Sequence, residues 1–227
     1  MGEAMLIWAA LIWIGVHIGI AGSGVRDAVA GRVGERGFRI RFSLLSVAAL
    51  VFLIVSFNRA DTTPLWVAPE WLRWLLVLAM LPAFMLFVGS LTAPNPTMLG
   101  GERGAARGLA GVQRITRHPM LWSFAIWAAV HVIGNGDTAS VIFFGAFLIT
   151  ALAGMPSIDA KLRQRDPARW ASVARESSIL PFAAIAEGRN KLMLREIGWP
   201  VWAGGTVAWL VVLAVHRPVF GVAPVGF

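Results

Sequence analysis

Cysteine and tyrosine are both absent from this chain of 227 residues. The lack of cysteine excludes disulfides, thiolate metal ligands, a cysteine nucleophile and cysteine-ligated iron–sulfur clusters. Charge is also scarce, because Asp, Glu, Lys and Arg make up 14% of the residues, while 57% are hydrophobic and the mean hydropathy is +0.70. This balance is far from that of a soluble domain, and it predicts an integral membrane protein.

Long apolar runs are what the chain has instead. A helix rises about 1.5 Å per residue and the hydrocarbon core is about 30 Å thick, so apolar runs of roughly 17 to 25 residues are candidate spans. Six runs predict an all-α, polytopic bundle of six transmembrane helices: Met5–Ala21, Phe42–Phe57, Trp71–Leu91, Pro119–Ile133, Ala139–Gly154 and Ile197–Val215. The first run lacks a basic n-region and a following A-x-A site, so we expect a span rather than a signal peptide. The polar turn 134–137 predicts a hairpin of the fourth and fifth spans.

The basic residues fall mainly in three of the loops between these spans. The first, third and fifth loops hold Arg26, Arg32, Arg36, Arg39, Arg41, Arg103, Arg107, Arg114, Arg117, Lys161, Arg163, Arg165, Arg169, Arg175, Arg189, Lys191 and Arg195. By the positive-inside rule these loops face the cytoplasm, and an even number of spans then places both termini outside, in the periplasm if the membrane is a Gram-negative inner membrane. Lipid headgroups, rather than nucleic acid, therefore account for the net charge of +8.

The chain has no internal repeat and no low-complexity linker. Residues 1–227 are expected to form a single domain, in which a cytoplasmic amphipathic segment covers about residues 157–196. The expected partners are membrane lipid and a hydrophobic small molecule.

Histidines are the main candidates for chemistry, because an ionisable residue inside a span is costly to keep there. His17 lies deep in the first span, His131 near the outer end of the fourth and His216 at the outer end of the sixth. Neutral imidazole ligates iron, zinc or copper, and haem iron fits best because the porphyrin supplies four nitrogens and the protein only one or two. The alternative is that each histidine bonds to a backbone carbonyl within the bundle. Spacing alone does not decide between these interpretations.

A second candidate site lies where the fourth span begins. Arg114, Arg117 and His118 immediately precede Pro119, a residue suited to the first position of a helix. Free amides, the helix dipole and two guanidiniums together favour an anion such as a haem propionate or a phosphate. The alternative is that the two arginines contact lipid phosphates.

Several of these elements together resemble the NnrU family. They are His17, Gly34-Glu35-Arg36, Phe42-Ser43-Leu44-Leu45-Ser46, Asn95-Pro96, Arg114-Ile115-Thr116-Arg117-His118-Pro119, His131, Gly134-Asn135-Gly136-Asp137, His216 and Phe220-Gly221-Val222. The family is associated with nitrite and nitric oxide metabolism and includes 15-cis-zeta-carotene isomerases that bind haem b. The resemblance implies a redox-dependent cis-to-trans rotation of a polyene double bond, with His17 and His131 as haem ligands and His216 as the alternative.

The same resemblance has two further implications. A cysteine that is an alternative ligand in the plant branch would fall at Ala128, so that ligand switch is absent here. A non-enzymatic accessory role in denitrification is the alternative to catalysis.

A looser resemblance connects the chain to membrane methyltransferases that act on isoprenylcysteine and phospholipid amines. It rests on Arg117-His118-Pro119, Asp159, Arg169-Trp170 and Leu180-Pro181-Phe182. The implied cofactor is S-adenosylmethionine. Asp159 stands where those enzymes have paired glutamates, so the likeness favours a shared scaffold more than a shared cofactor.

Overall fold

The computed structural model describes residues 2–92 and 108–226, and every regular element in these two ranges is helical. The helices are α1 (Gly2–Ile14), α2 (Gly24–Asn58), α3 (Glu70–Thr92), α4 (Pro119–Asn135), α5 (Thr138–Arg165), α6 (Pro167–Glu176), α7 (Ala183–Ala186) and α8 (Trp199–Phe220). A π-helical stretch, Gly15–Ile20, continues α1, and 3-10 turns form at Gly111–Arg114 and Leu194–Glu196. The all-α prediction is confirmed.

Five helical segments of the described ranges are long and apolar enough to cross a membrane. They are Gly2–Ile20, Gly24–Asn58, Glu70–Thr92, Thr138–Arg165 and Trp199–Phe220. The predicted fourth span is α4, which has 17 residues and is shorter than these five. The membrane class is therefore confirmed, while the count of six spans and the outer location of both termini stay predictions.

The first basic loop differs from the expectation, because it is helical. Helix α2 begins after Ser23, whose hydroxyl accepts a hydrogen bond from the Val25 amide at 3.2 Å, and it continues through the arginine-rich segment to Asn58. Gly34, with φ of 73°, interrupts it with a kink. No proline lies in residues 24–41, and the five arginines and two alanines of this segment favour helix. Hydropathy located the apolar part of the helix and missed its polar beginning.

The chain divides into two compact units, of which the first comprises Met1–Pro69 and Ala128–Ser157. Within it α1 and α2 are antiparallel, because Gly2 lies against Arg59 and His17 bonds to Ser46. Helices α1 and α5 run parallel, because the Trp13 ring contacts Phe147 and the Ser157 hydroxyl donates to the Gly22 carbonyl. Helix α5 therefore packs beside the segment that carries His17.

The second unit comprises Glu70–Trp127 and Ile158–Phe227. Helices α3 and α8 pack as an antiparallel pair, in which the Trp209 indole donates to the Val77 carbonyl at 2.9 Å. Gly205 permits the close approach, since a Cβ there would lie 3.0 Å from the Met85 Cα. Arg73 ties down the C-terminal segment through hydrogen bonds to the carbonyls of residues 223 and 224.

Candidate functional site

His17 lies on the π-helical stretch of the first unit, half-buried between α1 and α2. Its Nδ1 is 2.9 Å from the Trp13 carbonyl oxygen, and its Nε2 is 3.0 Å from the Ser46 hydroxyl. Because a carbonyl only accepts, Nδ1 is the protonated nitrogen of the neutral ring and Nε2 keeps its lone pair. Donation of the second ring nitrogen to a carbonyl is how metal-ligating histidines are usually oriented. π-Helical turns of this kind are frequent at functional sites.

Trp13 is the closest neighbour of this imidazole. Its ring centroid is 3.9 Å from that of His17, and its side chain is only 9% exposed. The indole Nε1 is buried and has no hydrogen-bond acceptor within residues 2–92 and 108–226. A buried donor without an acceptor costs about 1–3 kcal/mol, so this N–H is a position where an acceptor from a ligand would be stabilising.

A continuous series of aromatic contacts connects His17 with His131. Trp13 contacts Phe147 at 4.8 Å, Phe147 contacts Phe143 at 5.3 Å, Phe143 contacts Phe144 at 5.0 Å, and Phe144 stacks on His131 at 4.6 Å between centroids. His17 lies one turn beyond Trp13, and Phe144 lies one turn before Phe147 on the parallel helix. The two histidines therefore differ in level by two helical turns, about 10 Å.

The turn that follows the helix of His131, residues 134–137, is held by hydrogen bonds within the first unit. Asp137 accepts hydrogen bonds from the Thr62 hydroxyl at 2.5 Å and from the amide and hydroxyl of Ser140 at 2.9 and 2.7 Å. Burial of this carboxylate opposes ionisation, but these hydrogen bonds outweigh it and hold the pKa of Asp137 below its usual range. The Trp66 indole also donates to the Ile133 carbonyl, at 2.9 Å.

Arg117, His118 and Asp159 form a buried polar cluster in the second unit. Arg117 donates from Nε and from one terminal nitrogen to Asp159, with distances of 3.0 and 2.6 Å, and His118 Nε2 lies 2.9 Å from the same carboxylate. The Arg117 guanidinium also lies 5.2 Å from the Trp170 ring centre. All three side chains are less than 10% exposed. Asp159, which sequence analysis named only for a methyltransferase-like scaffold, is thus the centre of the cluster.

Arg114 lies in a second ion pair of the same unit. Its guanidinium donates two hydrogen bonds to the Glu196 carboxylate, at 2.6 and 2.9 Å, and one to the Asn190 side chain, at 2.8 Å. The Arg114 hydrogen bond is the main reason that the pKa of Glu196 lies below its usual range, and it raises the pKa of Arg114 in turn. The predicted anion-binding residues Arg114, Arg117 and His118 therefore all have carboxylate partners from this chain, and their role with a cofactor stays a prediction.

The remaining predicted residues are placed as follows. His216 belongs to the second unit, where its Nδ1 is 2.8 Å from the Val222 carbonyl, whereas His17 and His131 belong to the first. Asn95, Pro96, Arg103 and Arg107 lie outside the described residues. Within the described ranges, no three His, Asp or Glu side chains are grouped to hold a metal ion by themselves.

Sequence reasoning missed the aromatic surroundings of the two histidines. Trp13 precedes His17 by four residues, which is the spacing of neighbours on one helix face. Phe143, Phe144 and Phe147 share a face of α5 by the same rule. The helical spacing was readable, but the pairing of α1 with α5 was not.

Helical spans and a half-buried histidine among aromatic rings define a polytopic α-helical membrane protein with a candidate cofactor site. The NnrU protein family model matches residues 5–224, and the chain belongs to this family. It is similar to the chloroplastic 15-cis-zeta-carotene isomerases of Arabidopsis thaliana and Zea mays, each 28% identical over 201 residues that cover 84% of this chain. The chain spans about half of these relatives, 52% of each. No solved structure matches the chain.

Proposed function

We propose that this chain is a haem b-binding membrane isomerase that rotates a cis double bond of a polyene in a redox-dependent way. The observation that carries the proposal is His17, whose Nδ1–H faces the Trp13 carbonyl while Nε2 keeps its lone pair. The names of the two carotene isomerases support the reaction class, because cis-to-trans isomerisation of a polyene is what their names describe. The proposal also includes a bacterial inner membrane and six spans.

His17 would hold a haem through Nε2, the ring nitrogen that keeps its lone pair. Because Nε2 accepts from the Ser46 hydroxyl at 3.0 Å, this hydroxyl would have to turn away for His17 to act as a ligand. The Trp13 carbonyl keeps the ring oriented and increases the basicity of Nε2. When bound, haem would supply an iron whose reduced state donates electron density to the conjugated double bond.

His131 is the proposed second ligand, and its position sets a requirement. It lies about two helical turns from His17, and the rings of Trp13, Phe147, Phe143 and Phe144 occupy the space along the way. For both histidines to hold one haem, some of these rings would have to move aside.

The aromatic side chains also suit a polyene. A conjugated hydrocarbon offers no hydrogen bonds, so its binding depends on apolar area and on contacts between π-systems. The Phe rings of α5 supply both, and they exclude water from the reacting bond. Rotation about a double bond of the polyene neither adds nor removes atoms. The proposed reaction therefore needs no acid or base at this site.

Absorption spectra of the purified protein, oxidised and then reduced, test the haem part of the proposal. We expect a Soret band that shifts on reduction and that is lost or strongly altered in His17→Ala. His131→Ala is expected to convert the spectrum to that of a haem with one protein ligand. His216→Ala is the matched control and should leave the spectrum unchanged. A protein without a Soret band, or a spectrum indifferent to His17 and His131, would contradict the proposal.

The isomerase part needs its own measurement. The reduced and the oxidised protein, each in lipid vesicles, are incubated with a cis polyene of the zeta-carotene type, and the isomers are separated chromatographically. Faster conversion with the reduced protein than with the oxidised one is expected. A haem-loaded protein that converts no cis polyene in either state would leave haem binding intact and reject the isomerase activity.

A methyltransferase that uses S-adenosylmethionine is the second candidate, because the elements on which it rests meet in space. Arg117 contacts both Asp159 and Trp170. The cluster ranks second because the Asp159 carboxylate is already shared between Arg117 and His118 and is buried. Calorimetry with S-adenosylmethionine decides the matter, since no heat of binding at millimolar ligand rejects this candidate.

A further inference from the structure

Large apolar side chains are repeatedly exposed between residues 180 and 194 of the second unit, in the chain segment that precedes α8. Leu180 and Phe182 are 62% and 50% exposed, and Leu194 is 55% exposed. The run 191–195, which reads Lys-Leu-Met-Leu-Arg, is exposed at all five positions. We call Leu180, Phe182 and the run 191–195 the interfacial platform. Its apolar side chains are too concentrated for an ordinary water-facing surface.

The platform is rigidly held, so its exposure is not that of a loose loop. The Phe182 amide donates to the Ile115 carbonyl at 2.8 Å, and the Thr116 hydroxyl donates to the Ile179 carbonyl at 2.7 Å. Arg114 fastens the other end by its bonds to Asn190 and Glu196. The frame beneath the platform is therefore fixed by buried and half-buried hydrogen bonds.

Phe182 adds an argument from backbone conformation. It has φ of 65°, the left-handed region, and is the one non-glycine residue of the described ranges with a positive φ. An L-residue there costs about 1–2 kcal/mol, which glycine would avoid. Since the half-exposed ring contributes little to packing within the chain, a contact outside the chain is the simplest reason for a phenylalanine in this conformation.

Two basic side chains beside the apolar ones indicate which kind of surface the platform contacts. Lys191 and Arg195 bracket the run, both are exposed, and neither has a carboxylate partner among residues 2–92 and 108–226. Four residues after Arg195, the candidate span α8 begins with Trp199, which is 78% exposed. Long basic side chains beside apolar ones at a membrane boundary extend toward phosphates while their stems stay in the apolar region.

We propose that the interfacial platform lies in the membrane interface, where its apolar side chains enter the acyl boundary and Lys191 and Arg195 bind anionic phospholipid headgroups. The platform thus fixes how deep α8 begins in the bilayer. This inference does not depend on haem or on the isomerase activity.

Nitroxide labels measure the depth directly, and the chain is well suited because it contains no cysteine. Phe182→Cys and Leu194→Cys are labelled in the full-length protein, in nanodiscs of phosphatidylcholine with or without phosphatidylglycerol. We expect both labels to collide more with oxygen than with a water-soluble nickel complex, and to move deeper when phosphatidylglycerol is present. Gln164→Cys, at an exposed polar position of α5, is the control and should favour the nickel complex.

The role of the cations is tested by Lys191→Gln combined with Arg195→Gln. This variant should lose the dependence on phosphatidylglycerol, since each cation near an anionic surface contributes about fivefold in partitioning. Arg36→Gln with Arg39→Gln removes the same charge from exposed positions elsewhere and should keep the dependence. Size-exclusion chromatography and the helical circular dichroism signal verify folding of each variant.

Three outcomes would overturn the proposal. Labels that favour the nickel complex would place the platform in water. Labels shielded from both reagents would mean that protein, either a second copy or another partner, covers the platform. Equal depth with and without phosphatidylglycerol would reject the binding of anionic headgroups.

Discussion

The candidate site of the first unit consists of a half-buried imidazole and a buried indole among aromatic rings, whereas the polar cluster of the second unit consists of arginines and carboxylates bound to one another. At the first of these sites, the Trp13 indole keeps a buried N–H without an acceptor among the described residues. In the second unit, Arg117 and Arg114 each take a carboxylate of the same chain. Unsatisfied donors are a reason to expect a ligand, and satisfied ion pairs are a reason to expect a fixed scaffold.

The buried charges of the second unit give the largest expected effect. Asp159→Ala leaves the Arg117 guanidinium buried without its carboxylate, and removal of one partner of a buried pair costs about 3–5 kcal/mol. Thermal unfolding in detergent should therefore show a strongly lowered Tm. Asp166→Ala is the matched control, because Asp166 only caps α6 at an exposed position, which is worth about 1 kcal/mol. Equal effects of the two variants would mean that the cluster does not stabilise the second unit.

A somewhat smaller effect is expected in the turn 134–137 of the first unit. Gly136 has φ of 68°, and a Cβ there would collide with the Trp66 carbonyl oxygen. Gly136→Ala should lower the free energy of unfolding by about 2–4 kcal/mol from backbone strain and overpacking. Gly145→Ala lies in α5 with open space around it and should instead stabilise by up to about 1 kcal/mol. Chemical denaturation of both variants measures the difference, and no loss for Gly136→Ala would show that the turn can move.

Trp13→Phe tests whether the site of the first unit is built for a ligand, because it removes the N–H that lacks an acceptor and keeps an aromatic ring. In the haem-free protein, loss of packing is offset by removal of the unsatisfied donor, so the Tm should change little. If the indole donates to the ligand, the variant should bind haem about tenfold more weakly. Haem titration followed in the Soret region measures this ratio. Trp8→Phe, at a position that is 66% exposed, is the control and should not change the affinity for haem. If Trp13→Phe binds haem as tightly as the unchanged protein, the Trp13 indole contributes to packing alone.

How far the sequence predicted this molecule depends on the kind of signal. Hydropathy is a property of neighbouring residues, so it located α3 within one residue at each end, Trp71–Leu91 against Glu70–Thr92. It missed the polar beginning of α2, because lipid contact and helix formation are different properties. The candidacy of His17 followed from its depth in a span, whereas its contacts with Trp13 and Ser46 depend on how α1 and α2 pair. Such pairings join residues far apart in the chain, and no local pattern encodes them.

The smallest expected effect is the acid sensitivity of the frame beneath the interfacial platform. The pKa of Glu196 is lowered from 4.5 in the folded protein, chiefly by the Arg114 hydrogen bond. A carboxyl with a lowered folded pKa contributes stability above its unfolded pKa and loses it as the pH falls through the folded value. The contribution should thus be complete above pH of about 5 and decline below about 4.5, by no more than about 1 kcal/mol because both side chains are partly exposed. Glu196→Gln should flatten the dependence of Tm on pH in this range. Because Asp137 of the first unit also has a lowered pKa, a residual acid transition is expected in Glu196→Gln. Loss of that transition when Asp137→Asn is added to Glu196→Gln would assign it to the first unit.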